Sequence, residues 1–328
     1  MLIQSGVSKR ILVTGGAGYI GSTTSLLLLD AGYDVIVVDD LSRGNRDNVE
    51  PKRLRLINTL DTEALTALLK DEPCDAVIHF AAYIAVGESM KDPATYFHNN
   101  VAGSLSLFTA MLRTGVKALV FSSTAAVYGM PQIVPIPESS PIQAVNPYGE
   151  SKIMVETMLR WFDSIHGLRS ICLRYFNASG AEAKLRVGER HEPETHLIPL
   201  LFRAVQTGQP VTLFGQDYPT PDGTCIRDYI HVSDLAQAHI LAVEHLLNGG
   251  ASDRYNVGTG QGFSVREVVQ AVEAVTGRKV PYQFGPRRAG DPPALVADST
   301  RLRQSLSWTP QHSDLKNIVE TAWKFANR

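Results

Sequence analysis

Cysteine is scarce in this chain, and a long apolar run is missing altogether. Only three of its 328 residues are cysteine, Cys74, Cys172 and Cys225. An odd number at wide spacing argues against a disulfide framework and fits buried free thiols in a reducing compartment. No stretch approaches the ~20 consecutive apolar residues of a membrane-spanning helix. The first ten residues carry Lys9 and Arg10 but no apolar signal core. These absences predict a cytoplasmic protein without a membrane partner. An excess of charge is missing too: 31 Lys plus Arg stand against 33 Asp plus Glu, a net charge of −2. That balance supplies no field to hold a polyanion, so nucleic acid is not an expected partner. Internal repeats and low-complexity tracts are likewise not found.

What is present is a hydrophobic content of 44%. At this length it is enough for one large α/β unit with an appended lobe, or for two domains. The first half alternates short apolar runs with amphipathic stretches, the pattern of βαβ units around a parallel sheet. It predicts strands over 11–14, 35–39, 54–58, 76–80, 118–122 and 170–174. Helices are predicted over 19–29, 63–70, 96–114 and 148–165, the second after an Asp61–Thr62 start signal. Beyond Arg174 the rhythm changes: 177–193 and 208–228 are dense in Gly, Pro and polar residues and read as loops, where substrate contacts tend to lie. A helix over 233–247 and a strand over 255–257 predict a return to the first sheet, so the second lobe is interleaved with the first. The expected architecture is a doubly wound Rossmann-type parallel sheet with a smaller interleaved α/β substrate lobe. Its dinucleotide-binding part spans 1–177 plus about 226–258, and the lobe spans 178–225 and 259–328.

The strand over 11–14 runs into Gly15-Gly16-Ala17-Gly18-Tyr19-Ile20-Gly21. Gly15 permits a tight turn, Gly18 lets backbone N–H groups approach a pyrophosphate, and Gly21 lets the helix pack on the sheet. The following helix then presents its N-terminus to the anion. Three glycines alone would equally suit a structural strand-to-helix turn, but an acid follows at the end of the next strand. Asp39, about 20 residues on, is placed to accept hydrogen bonds from ribose hydroxyls and would repel a 2′-phosphate, which favours NAD over NADP. Arg43 reads as a solvated loop charge. Phe80-Ala81-Ala82 after the fourth strand suits a cofactor lying across strand ends, although Phe80 suits core packing just as well.

Three features with chemistry follow: Ser122-Ser123-Thr124 after an apolar strand, Tyr148, and Lys152 four residues later. On a helix, Tyr148 and Lys152 lie one turn apart on one face. A lysine and a nicotinamide cation nearby would stabilise a phenolate, so that Tyr148 removes a proton from a sugar hydroxyl positioned by Thr124. A Tyr-x-x-x-Lys pair by itself occurs in many helices without function. Metal is not expected, because the nine histidines show no ligand spacing.

These residues resemble those of the extended short-chain dehydrogenase/reductase family, and the resemblance runs nearly from Lys9 to the C-terminus. It is carried by Val13-Thr14-Gly15-Gly16-Ala17-Gly18-Tyr19-Ile20-Gly21-Ser22, Val77-Ile78-His79-Phe80-Ala81, Ala85-Val86-Gly87-Glu88-Ser89 and Phe121-Ser122-Ser123-Thr124. Later segments are Leu173-Arg174-Tyr175-Phe176-Asn177, Asp222-Gly223-Thr224, Arg227-Asp228-Tyr229-Ile230-His231-Val232 and Pro286-Arg287-Arg288-Ala289-Gly290-Asp291.

Within that family the nucleotide-sugar C4 epimerases are the similar branch. The resemblance implies an isomerase with tightly held NAD that interconverts UDP-glucose and UDP-galactose through a 4-keto intermediate, and it implies a homodimer. Helices 96–114 and 148–165 are the candidate interface, although their apolar faces would equally serve the core. The resemblance assigns catalysis to Thr124, Tyr148 and Lys152. It assigns the cofactor to Gly15, Gly18, Tyr19, Ile20, Gly21, Asp39, Asp40, Phe80, Ala81, Ala82, Asn99, Ser122, Tyr148, Lys152 and Tyr175. The UDP-sugar falls to Thr124, Tyr148, Asn177, His196, Leu197, Phe214, Arg227, Arg288 and Asp291. Of these, Phe214 also reads as plain core, and His196 also reads as an ordinary polar contact. Sugar-nucleotide dehydratases of the family carry Asp and Glu after the Thr, where Ala125 and Ala126 stand here. Neither alanine moves a proton, so dehydration is not expected.

The chain departs from the family pattern in four places. Thr124 replaces a common Ser and keeps the hydroxyl. Asn58-Thr59 replaces an acid that meets adenine, and Thr195-His196 replaces an Asn pair. Leu295 replaces a Tyr that closes the hexose pocket in some members, so UDP-N-acetylhexosamines become candidate substrates. Two other readings stay open: epimerisation of a UDP-pentose or a UDP-uronic acid, and an NAD-sensing scaffold without chemistry.

Overall fold

The computed structural model describes residues 8–288 and 290–328. The leader reading of residues 1–7, and Ala289 of the Pro286–Asp291 segment, lie outside the described residues. The first half runs β1 (Arg10–Thr14), α1 (Tyr19–Asp30), β2 (Asp34–Asp39), β3 (Leu54–Leu56), α2 (Thr62–Asp71) and β4 (Ala76–His79). Two single-turn helices follow, α3 (Val86–Ser89) and α4 (Pro93–Tyr96), then α5 (Gly103–Thr114), β5 (Ala118–Thr124), α6 (Pro147–His166) and β6 (Arg169–Tyr175). The second half continues with β7 (Asn177–Ser179), α7 (Leu197–Thr207), β8 (Val211–Phe214), β9 (Ile226–His231), α8 (Val232–Leu247) and β10 (Asp253–Val257). It closes with β11 (Gly262–Ser264), α9 (Val265–Thr276), β12 (Tyr282–Gly285), β13 (Ala294–Leu295), α10 (Thr300–Leu306) and α11 (Leu315–Ala326).

Seven strands form one parallel sheet in the order β10-β6-β5-β4-β1-β2-β3. Strand alternation explains why it is covered on both faces. Ile11 and Val13 of β1 point to the side where α1 and α8 bring Leu28, Leu235, Ile240 and Val243. Leu12 between them points to the other side, against α2, α5 and α6 through Leu65, Phe108, Met111 and Val155. The strand order reverses between β1 and β4, and in such sheets the carboxyl ends of the two strands at the reversal open a crevice for ligands. A second core, built on Leu201, Phe202, Val268, Val272 and Ile318, joins α7, α9 and α11. Beside it lie a four-stranded sheet of β7, β9, β11 and β13 and the β8–β12 pair.

Three expectations are corrected here. The helix expected over 96–114 is interrupted by a π-helical turn over Phe97–Ala102. This turn aims Asn100 into the interior, where it accepts from the Tyr83 N–H (2.8 Å) and donates to the Ser151 hydroxyl (3.0 Å), tying the loop after β4 to α6. The third strand ends at Leu56, two residues early, because Asn58 turns out to hold Asp40 at 2.7 Å and to accept from the Leu60 N–H. The two segments read as loops contain β7, β8 and the start of β9. Four-residue β8, between Gly208-Gln209-Pro210 and Gly215, becomes a strand only by pairing with β12 some seventy residues later.

Candidate active site

The glycine segment turns at the end of β1. Gly15 has φ +70° and a Cβ there would lie 2.5 Å from the Ala81 backbone nitrogen; a Cβ on Gly21 would lie 2.3 Å from the Gly15 carbonyl oxygen. Both positions therefore need glycine, the first for the turn and the second so that α1 can sit against the loop. Gly18 caps α1 with no side-chain hydrogen bond, so the first-turn N–H groups of this helix face the crevice without a protein acceptor from a capping side chain. An anion fits that end of the helix. Ile20 packs on the sheet core, and the buried Tyr19 phenol donates to the Gly180 carbonyl at 2.6 Å, joining α1 to the second lobe.

The acid after β2 is buried beneath this loop. Asp39 accepts from the Ala17 N–H (2.9 Å) and from the Leu41 N–H (2.8 Å), and burial raises its carboxyl pKa against those two amide bonds. Each oxygen keeps a lone pair for a further donor. Asp40 is exposed and holds the Ser42 N–H and the Asn58 amide. Arg43 is ion-paired with Glu88 at 2.8 Å and lies over the Tyr83 ring, so its charge is already engaged. Across the crevice, Phe80 packs on His239 with ring centroids 4.6 Å apart, Ala81 abuts Gly15, and Ala82 is half-buried. The Asn99 amide donates to Asn100 at 3.0 Å.

Thr124, Tyr148 and Lys152 converge where β5 ends and α6 begins. Asn146 caps α6 by accepting the Gly149 N–H (2.8 Å), and Pro147 fixes its first residue. Tyr148 and Lys152 then lie one turn apart, both buried. The ammonium of Lys152 donates to the Ser122 carbonyl at 2.9 Å and lies 5.9 Å from the centroid of the Tyr148 ring. Ser122 shares a hydroxyl hydrogen bond with Tyr175 at 2.5 Å. The Thr124 hydroxyl accepts from the Ala126 N–H at 3.1 Å and adjoins the Tyr148 phenol.

The phenolate expected at Tyr148 rests on Lys152 together with a nicotinamide cation, and the polypeptide supplies the first of these alone. Burial pushes the Tyr148 pKa above 10, and the Thr124 hydroxyl pulls it only part of the way back. Burial also brings Lys152 down to about 7, with the charge of Glu156 holding it up. In the polypeptide by itself burial therefore disfavours the phenolate, the Thr124 hydrogen bond notwithstanding.

The second lobe supplies the remaining residues. Asn177 on β7 donates to the Asp228 carbonyl (3.0 Å). Arg227 on β9 is nearly buried and ion-paired with Asp291, which also accepts a long 3.5 Å bond from Tyr218. Arg288 is exposed, with its guanidinium 4.2 Å from the centroid of the Phe214 ring at the end of β8. That stack presents a flat cationic and aromatic surface. Leu295 on β13 pairs with Arg227 and packs against the small apolar cluster that contains Tyr128 and Phe176. His196 immediately precedes Leu197 at the start of α7 and contacts Glu189. Its side chain is 46% exposed; the partial desolvation it meets lowers its pKa, but the Glu189 charge and hydrogen bond, with Glu194 behind them, raise it to about 9.

Three groups escaped the sequence reading. Tyr218 has no local signal. Glu156 lies four residues beyond Lys152, on the face that carries Tyr148, and pairs with fully buried Arg174. Its position was legible at helical spacing, but its partner on β6 was not. Finally, His191 and His196 gather with Glu189 and Glu194. Sequence spacing gave no sign of this grouping: the loop, not a helix or a hairpin, brings them together.

The pattern that defines the NAD dependent epimerase/dehydratase family matches residues 11–258. The UDP-glucose 4-epimerase of Azospirillum brasilense is 50% identical over 325 residues, covering 98% of this chain and 93% of that protein. The crystal structure of UDP-glucose 4-epimerase from Brucella ovis in complex with NAD superposes with a TM-score of 0.94 at 46% identity, over 97% of this chain and 98% of its own. The structure of the UDP-Glc/GlcNAc 4-epimerase from Campylobacter jejuni gives a TM-score of 0.86 at 39% identity, over 98% and 99%.

Proposed function

The chain belongs to the NAD dependent epimerase/dehydratase family, and from that premise we propose that it is an isomerase inverting C4 of UDP-hexoses, interconverting UDP-glucose and UDP-galactose. Its cofactor is NAD. The observation that carries this reading is the buried set Thr124, Tyr148 and Lys152 beside the crevice, followed by Ala125 and Ala126 in place of an acid and a base. When bound, NAD supplies a hydride acceptor that later gives the hydride back, together with a positive charge in the site.

The chain's own residues do the rest. The N–H groups at Tyr19 and Ile20 take the cofactor's diphosphate, with Gly15, Gly18 and Gly21 keeping the approach clear of side chains, the Gly18 N–H itself being bonded to the Gly15 carbonyl. Asp39 takes a ribose hydroxyl, with Asp40 beside it, and Asn99 meets the cofactor from the π-helical turn next to Asn100. Lys152, with protons to spare beyond its bond to Ser122, takes the other ribose. Phe80, Ala81, Ala82 and Tyr175 form the walls. The Tyr148 oxygen takes the proton from the sugar 4-hydroxyl, which Thr124 orients, and later returns it. Inversion requires the 4-keto sugar, planar at C4 alone, to present either face of that carbon, and so to be held by its UDP and not by its ring. Arg227 and Arg288 suit the diphosphate, Phe214 the uracil, Asp291 the ribose, and Asn177, His196 and Leu197 the phosphate-sugar region. Purified protein incubated with UDP-galactose, with no NAD added, is expected to yield UDP-glucose; a wild-type protein that leaves UDP-galactose unchanged overturns the reading.

The hexose pocket is bounded at β13 by Leu295, where a ring with a hydroxyl would narrow it. We therefore assign UDP-N-acetylhexosamines as additional substrates. Leu295→Tyr is expected to cut turnover of UDP-N-acetylgalactosamine at least about 100-fold, with UDP-galactose turnover nearly unchanged. Equal losses on both sugars would sink this assignment.

We read the chain as a homodimer. On α6 the exposed Met154, Trp161 (55%) and Ile165 (66%) form an apolar stripe, and exposed Leu105 lies on neighbouring α5. Monomers seldom leave such a stripe to water. Trp161→Glu is expected to halve the mass measured by light scattering, and a wild-type mass of one chain refutes the dimer. None of the described helices is long and apolar enough to cross a membrane. The unpaired thiols Cys74, Cys172 and Cys225 support a cytoplasmic setting. The proposed division keeps 1–177 with about 226–258 for NAD, and 178–225 with 259–328 for the UDP-sugar.

A further inference from the structure

The segment between β7 and α7 folds four ligand-bearing side chains onto one point. One atom from each of Glu189, His191, Glu194 and His196 lies within 4.8 Å of the other three. His191 Nδ1 is 3.1 Å from Glu189 Oε1 and 3.9 Å from Glu194 Oε1. His196 Nδ1 touches that same Glu189 oxygen and is 3.9 Å from Glu194 Oε1. A tetrahedral ion with bonds of about 2.0–2.2 Å needs its ligand atoms about 3.3–3.6 Å apart. The measured spacings bracket that range, so small side-chain rotations would complete the shell.

Burial adds a second reason. The side chains of Glu189 and Glu194 are only 7% and 5% exposed, and both carboxylates face this point. Two nearly buried carboxylates side by side are costly unless a cation lies between them. An imidazolium at His196 supplies one positive charge, whereas a divalent ion supplies two and lets both imidazoles bind as neutral ligands. The loop is braced beside this point. Glu194 Oε1 accepts the Thr195 and His196 N–H groups at 2.7 and 2.8 Å, and the His191 ring stands edge-on to Tyr19 of α1, with centroids 6.3 Å apart.

We propose that Glu189, His191, Glu194 and His196 bind one zinc-class divalent ion, which clamps the β7–α7 loop against the start of the cofactor helix. Two imidazoles and two carboxylates closing on one ion would select zinc or cobalt over magnesium, which requires octahedral oxygen ligands. With Nδ1 of His196 on the ion, its Nε2 carries the proton and becomes a fixed donor. The site lies outside the chemistry of Tyr148, and its occupancy is measured without an activity assay.

The test uses the full chain, stripped with a chelator and then titrated with zinc chloride. Wild type is expected to hold about one zinc per chain by elemental analysis, and the cobalt-loaded protein should show the intense visible absorption of a four-coordinate ion. Affinity should fall at least about tenfold in His191→Ala and in Glu194→Gln, each checked for folding by circular dichroism, and excess magnesium should not displace the zinc. Should a variant misfold, the wild-type stoichiometry and the cobalt spectrum still decide. A wild type that retains no zinc, folded variants that bind it as tightly as wild type, or displacement by magnesium would each overturn the proposal.

Discussion

Tyr148→Phe is expected to lower kcat about 1000-fold, as loss of a general base does, while KM for UDP-galactose stays within a few-fold. The substitution removes one oxygen and leaves the ring, so the packing of a buried side chain at the second residue of α6 is retained. The Asn146 cap is retained too. What disappears is the group that moves the proton. No neighbour replaces it: Thr124 offers a hydroxyl already accepting from Ala126, the Ser122 hydroxyl is bound to Tyr175, and Lys152 donates to the Ser122 carbonyl. A loss confined to kcat marks an interaction made in the transition state rather than in substrate binding. Because burial raises the Tyr148 pKa in the polypeptide alone, the active phenolate depends on positive charge brought into the site. Steady-state kinetics of the variant, with retained cofactor measured separately, provide the check. Full activity in Tyr148→Phe would place the base elsewhere.

The parts of this site that were legible in sequence are those whose requirement is local. The Gly15–Gly21 turn, Asp39 at the end of β2, and Tyr148 with Lys152 one turn apart each follow from backbone geometry over a few residues. The covered faces of the sheet were legible for the same reason, since the alternation of Ile11, Leu12 and Val13 alone requires apolar contacts on both sides. Distant partnership was not legible. Four-residue β8 needs β12 to become a strand. The π turn at Phe97–Ala102 is stabilised by Asn100 reaching Tyr83 and Ser151, residues that sequence does not bring near. How far burial raises the pKa of the Tyr148 phenol in the polypeptide alone was not legible either, because desolvation is a property of the folded interior. The Glu189–His196 cluster arises from the path of a loop, which carries no periodicity to read.

The largest effect on stability is expected at Glu156, which the proton transfer does not use directly. Its carboxylate binds Arg174 through two nitrogens, at 2.9 and 2.5 Å, and accepts the Ser123 hydroxyl at 2.6 Å. Arg174 is fully buried (0% side-chain exposure) and also donates to the Tyr128 phenol. Glu156→Ala would leave that guanidinium without a counter-charge in the interior, a loss of about 3–5 kcal/mol. For a chain of this size the melting temperature should fall by roughly 10 °C. The pair is not thereby net stabilising, because bringing two ions out of water offsets most of their attraction. Glu156→Met combined with Arg174→Met should accordingly recover most of the lost stability. Catalysis gives an independent readout. The Glu156 charge is what holds Lys152 up against burial, so Glu156→Gln should lower the Lys152 pKa below about 7. The lysine then loses its charge at lower pH, and the alkaline limb of kcat moves to lower pH while the acid limb stays. Calorimetry of the three variants and the pH profile of Glu156→Gln provide the measurements. A single variant that melts with the wild type would show that the pair has no structural role. A double variant as unstable as Glu156→Ala would show instead that the buried charges are worth more than an apolar filling.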